Sequence, residues 1–174
     1  MTVTFTNLSG TRENLDKTIR YLLSSNWTAA NITGTITPIF ESDTEEPDQF
    51  ARWDNSSVNT VRVNLFSRER YQSDDFEVNG DDKHAWVCKL IINLQAQNLV
   101  TLTQMEDEVN RILWEKRPNG STRLAKSGIG AADSEVAFFE QSELEFQRIE
   151  PDGEDDQIPT SEGQLDCIYF KTKT

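Results

Sequence analysis

The chain has 174 residues, enough for one domain with a sizeable core. Hydrophobic residues make up 36%, yet nine Phe, four Trp and three Tyr are more aromatic side chains than a disordered chain carries. Thirty acidic residues against 17 basic ones give a formal net charge of −13, which argues against a general nucleic-acid binder with a basic footprint.

The first predicted element is a helix. Leu15, Ile19, Leu22 and Leu23 recur on one helical face. Thr11 or Ser9 is placed to cap its start, Glu13 and Asp16 suit the positive end of its dipole, and Ser24-Ser25-Asn26 ends it. Residues 32–40 predict a strand, with Pro38 marking an edge or a bend. Residues 41–48, from Glu41 to Asp48, predict an acidic loop insert without core-forming side chains. Val61, Val63 and Leu65 then alternate with Arg62, Asn64 and Phe66, a half-buried strand that could extend to Tyr71. Residues 74–82 hold the turn dipeptide Asn79-Gly80. The strand that follows carries Trp86, Cys88, Leu90, Ile92 and Leu94 on one face, so the two strands predict a long antiparallel hairpin.

A second helix follows from Met105, Val109, Ile112 and Leu113, with Thr103 and Glu106 at capping-box spacing and Pro118-Asn119-Gly120 as its stop. Residues 119–134 form a polar loop longer than a connector needs. Residues 136–149 predict one long strand with Phe138, Leu144 and Phe146 on one face. Glu140 and Ser142 on that same face predict a bulge or an exposed tip. Residues 150–156 form a second acidic insert, and Cys167 to Phe170 predict a last strand. The expected fold is a single α+β domain over residues 1–174, two helices packed on a mostly antiparallel sheet with long hairpins.

The basic residues are ten Arg and only seven Lys. At a charge of −13 self-repulsion opposes the folded state in dilute buffer. At molar salt the Debye length falls to about 3 Å and that repulsion is screened. An acid-rich, lysine-poor chain suits a salt-loaded cytoplasm, as in halophilic microbes and their viruses; the alternative is an ordinary acidic protein of a low-salt cell.

Catalytic and cofactor motifs are missing where the common chemistries would need them. One histidine, His84, excludes His-Glu-x-x-His zinc sites, and no Gly-x-Ser-x-Gly elbow supplies a nucleophile. His84 and Cys88 are four apart on a strand, about 13 Å, too far for a dyad. Gly128-Ile129-Gly130 lacks the third glycine of a dinucleotide fingerprint, where Asp133 stands. Asp75-x-Glu77-x-Asn79-Gly80 resembles the front of a calcium loop, but its twelfth position is Trp86. Cys88 and Cys167 form neither a disulfide framework nor a zinc spacing and are expected to be buried thiols. Five Asn-x-Ser/Thr sequons, at Asn7, Asn26, Asn31, Asn55 and Asn119, read as accidents of a Ser/Thr-rich chain. Met1 to Gly10 does not read as a signal peptide, and no apolar run reaches membrane-span length. No catalytic, cofactor-binding or metal-ligating residue is expected.

One stretch breaks the charge trend. Arg111, Lys116, Arg117, Arg123 and Lys126 face only Glu115. Cations at a helix C-terminus complement its dipole, which accounts for Lys116 and Arg117 but not for Arg123 and Lys126. On an acidic protein, Arg117, Arg123 and Lys126 are a candidate subunit interface that would dock on an acidic copy or neighbour.

The sequence of parts resembles the tail-terminator and tail-completion proteins of tailed viruses, which join tail to head. The matching stretches are Asn14 to Ser25, Val61 to Leu94, Thr103 to Pro118 and Val136 to Ile149. The resemblance implies a homo-oligomeric ring, on the order of six copies, contacting other tail and neck proteins in a virion assembled in the host cytoplasm. It implies no catalysis, no cofactor, no membrane and no sequence-specific nucleic acid, although DNA would pass nearby. With the acidic composition it points to a halophilic archaeal host. Two other readings stay open at this point: another tail or neck subunit, or a cellular binding or regulatory domain of a halophile.

Overall fold

A computed structural model describes residues 12–42, 58–70, 83–117, 136–139, 144–149 and 158–172. Among the described residues two helices, α1 (Arg12–Asn26) and α2 (Leu99–Glu115), accompany a small hairpin and a six-stranded sheet. The hairpin is β1 (Ala30–Asn31) and β2 (Gly34–Thr35). The sheet contains β3 (Ile39–Ser42), β4 (Thr60–Arg70), β5 (Lys83–Gln95), β6 (Val136–Phe139), β7 (Gln147–Ile149) and β8 (Thr160–Thr172). Its order is β3-β4-β5-β8-β6, with β7 also on β8, and among the described pairings the β3–β4 one alone is parallel. The class is α+β, as the alternation of helical and strand periods requires.

The long hairpin of β4 and β5 carries the core. Cross-strand rungs Val61–Leu94–Ser161, Val63–Ile92–Gly163 and Leu65–Leu90–Leu165 run over β4, β5 and β8 on one sheet face. Leu15, Ile19, Leu22 and Leu23 of α1, and Leu102, Met105, Val109, Ile112 and Leu113 of α2, are buried in the same cluster. At about 25 cal/mol per Å² of apolar surface removed from water, this layer is the main favourable term in the fold. The opposite face bears Arg62, Asn64, Asn93, Glu162 and Gln164, so hydropathy alternates at the strand period. The alternation slips once in β4, where the register shifts between Leu65 and Ser67 and Phe66 is left exposed.

Several local expectations are corrected. Residues 32–40 are not one strand. Asn31 accepts hydrogen bonds from the Thr33 amide and hydroxyl, and Gly34 has φ +134°, so the chain reverses there. Pro38 precedes the edge strand β3. The loop expected at 41–48 begins too early: Glu41 and Ser42 belong to β3, and Glu41 is buried. Asp16 is fully buried on the packed side of α1 rather than placed for the dipole.

The capping box is also corrected. Asn98 caps α2, accepting from the Thr101 amide at 2.9 Å, while the Thr103 hydroxyl donates back to the Leu99 carbonyl. Glu106 instead receives Arg148 at 3.3 Å. The last strand is longer than expected, and the one long strand predicted for 136–149 is split into β6 and β7. Residues 1–11, 43–57, 71–82, 118–135, 140–143, 150–157 and 173–174 lie outside the described residues, and with them the candidate N-caps Thr11 and Ser9, the Asn79-Gly80 turn, the 119–134 loop, the bulge or tip at Glu140 and Ser142, and the insert at 150–156.

The split edge strand is held by two devices. Asn110 donates to the Leu144 carbonyl at 3.1 Å and accepts from the Leu144 amide at 2.8 Å, so its side-chain amide takes the place of a neighbouring strand. Gly163 leaves room for the Phe146 ring: a Cβ built there would lie 3.0 Å from Phe146 Cε1 and 3.1 Å from Cδ1. Gly163→Val is expected to destabilise the protein by about 2 kcal/mol through overpacking, with part recovered by adding Phe146→Leu. Urea denaturation of the single and double variants reads this directly. A neutral single variant would show that the ring is not confined.

Candidate functional site

The stripe that buries α2 runs through Leu102, Met105, Val109, Ile112 and Leu113. Position 114 falls off that stripe, so Trp114 projects outward and is 54% exposed. The helix closes with the Lys116 amide donating to the Ile112 carbonyl at 2.9 Å. Arg117 follows immediately and folds back over its own helix. Its guanidinium carbon lies 4.0 Å from the Trp114 ring centroid, and Nη1 donates to the Trp114 carbonyl at 3.4 Å. A cation over an indole face is attractive by roughly 0.5–1 kcal/mol when exposed and more when desolvated. Each side chain therefore favours the stacked rotamer of the other.

Of the expected interface residues, Arg117 is placed at this surface, whereas Arg123 and Lys126 lie outside the described residues. Trp114 was absent from the expected set. The signal for it lies in the sequence: a tryptophan on the polar face of a helix whose apolar stripe is already complete.

Arg111, counted with the basic stretch, belongs elsewhere. Its Nε and Nη2 donate to the two Glu108 oxygens at 2.8 Å each, and Nη1 donates to Glu115 at 2.6 Å. Nη2 also reaches the Asn26 carbonyl at 3.0 Å and the Thr28 hydroxyl at 3.2 Å. Glu108 accepts from the Thr28 amide and hydroxyl besides. One ion cluster thus ties the last carbonyl of α1 and the chain leaving it to the middle of α2. Burial pushes the Glu108 carboxyl up, but the Arg111 and Thr28 hydrogen bonds outweigh it and hold the group below its ordinary range. The Arg111 guanidinium is held further toward its charged form, first by the Glu108 hydrogen bond. Arg111 is therefore spent on the fold, and the basic stretch open to a partner starts at Lys116.

Among the described residues no group of three or more His, Cys, Asp or Glu side chains could hold a metal ion. No described helix is long and apolar enough to cross a membrane. Neither a protein-family model nor a characterised protein matches this sequence.

Proposed function

We propose that the protein is a virion structural and assembly component of a tailed virus of a halophilic host, forming a homo-oligomeric ring at the head–tail junction without catalysis. The reading is carried by the Trp114–Arg117 pair: an exposed, pre-stacked aromatic and cation at the start of a basic stretch, on a chain of net charge −13. Tryptophan and arginine are the residue types that dominate interface energetics when a partner desolvates them. The occupant is a second copy, because the rest of the chain supplies the acidic surface that this basic end complements. Exposed acids on the sheet include Glu69 and Glu162. A heterologous contact of this kind, basic end to acidic flank, closes into a ring when the rotation between copies allows it. The α+β order of parts supports the same reading by its resemblance to tail-terminator proteins. Other tail and neck proteins would then bind the two rims of the ring.

The test is charge reversal. Trp114→Ala is expected to weaken self-association by about thirtyfold or more, as for an interface anchor worth 2 kcal/mol. Arg117→Glu with Arg123→Glu and Lys126→Glu is expected to leave a folded protomer that does not assemble. Sedimentation velocity in about 2 M KCl reads both. Assembly unchanged by the triple reversal would remove this surface from the interface.

A further inference from the structure

The chain has two cysteines, and the fold brings them face to face. Cys88 on β5 and Cys167 on β8 are directly opposed in the antiparallel register, on the helix-covered side, and both are fully buried. Opposed residues on antiparallel strands hold their Cα atoms about 4.5–5.5 Å apart. A disulfide requires roughly 4.4–6.8 Å. The register therefore places the Cα atoms of the pair in the range a disulfide spans, and bond formation needs only a small approach of the two Cβ atoms. The next rung, Leu90–Leu165, and the surrounding core hold both strands in place.

We propose that Cys88 and Cys167 are an oxidation site that closes to an intrachain, cross-strand disulfide joining β5 to β8. One thiolate adds to a nitrogen of the oxidant, and the second thiol attacks the sulfur of that adduct and displaces the hydrazine. Two S–H bonds are lost and one S–S bond forms, and the two electrons and two protons pass to the oxidant, for which an organic diazene (reduced to its hydrazine) serves. Burial is the main cause that raises the Cys167 thiol, with Cys88 beside it adding to the effect, so the thiolate is scarce at neutral pH and the reaction is slow there. The bond would enclose the chain from residue 88 to residue 167, a long loop whose closure removes much freedom from the unfolded chain. It would staple the two central strands without touching the Trp114 surface, so it stands or falls apart from the assembly reading.

The experiment treats the folded full chain with the diazene diamide at about pH 8.5, near the ordinary thiol pKa. The protein is then unfolded in an alkylating reagent and weighed. The expected product is monomeric, about 2 Da lighter than the reduced chain and not alkylated. A proteolytic fragment linking Cys88 to Cys167 identifies the bond, and dithiothreitol restores both thiols. The oxidised protein is expected to melt roughly 10 °C higher. Cys88→Ser and Cys167→Ser each leave no intrachain product, and the fold of each is checked by circular dichroism. Two alkylatable thiols remaining after a treatment that fully oxidises the urea-unfolded chain would overturn the proposal. So would a bond formed only between chains, or one that lowers the melting temperature.

Discussion

Glu41→Ala is expected to destabilise the protein by roughly 3 kcal/mol, the low end for breaking a buried ion pair. Glu41 Oε2 lies 3.0 Å from Arg62 Nη2 and 3.3 Å from Nε, with side-chain exposures of 2% and 9%. The two residues face each other across β3 and β4, the one parallel pairing in the sheet. A slip of one residue would turn Glu41 toward the apolar core and Phe40 out of it, so the ion pair pins the register of a four-residue edge strand. The low end of the range applies because Arg62 has further interactions. Replacing both partners, as Glu41→Leu with Arg62→Met, is expected to come within about 1 kcal/mol of the parent, since an apolar pair needs no desolvation of charge. Molar salt will not rescue the single variant, because the Arg62 charge left behind is buried and poorly reached by ions. Urea denaturation gives the energies, and hydrogen exchange at residues 39–42 reports whether β3 detaches. A Glu41→Ala variant within about 0.5 kcal/mol of the parent, the range of ordinary surface changes, would show that the pair does not hold the strand.

Glu108→Ala is expected to cost about 2–3 kcal/mol at pH 7. It removes charge-assisted hydrogen bonds to Arg111 and leaves the Thr28 amide without its carboxylate acceptor. The cost is modest because Arg111 is about a third exposed and water can replace part of what it loses. The same cluster sets an acid dependence. The Glu108 carboxyl titrates lower in the folded protein than its ordinary value of 4.5. The folded state therefore binds that proton less readily, and the stabilisation is fully present above that ordinary value. It is lost as pH falls through the lower, folded value. In urea midpoints measured from pH 7 down to about pH 3, the gap between the parent and Glu108→Gln should be constant near neutrality and narrow at the acid end. A gap independent of pH would show that the charge of Glu108 contributes nothing.

The parts of the fold legible in the sequence were those set by local periodicity. Leu15, Ile19, Leu22 and Leu23 specify the buried face of α1, and Cys88, Leu90, Ile92 and Leu94 that of β5. What escaped depends on distant partners. Glu41 opens an acidic run and reads as solvated, because its counter-charge Arg62 is 21 residues away. Thr103 and Glu106 have the spacing of a capping box, yet the N-cap of α2 is Asn98, five residues before Thr103, with Leu99 and Val100 exposed in the first turn. The break between β6 and β7 depends on Asn110 of α2 binding the backbone of Leu144, a contact no window along the chain reveals. At the candidate site, charge patterning pointed to Arg117 but enrolled Arg111, whose carboxylate partner Glu108 also serves the exit from α1.

Self-assembly in salt is tested most directly by native mass from light scattering. The chain is measured in about 2 M KCl, where the Debye length is only a few ångströms, and again in dilute buffer. The prediction is a closed species in salt of roughly six times the 19.9 kDa protomer mass, dissociating or unfolding when the salt is removed. A monomer or dimer whose mass is the same in both buffers would contradict the ring and the salt adaptation together.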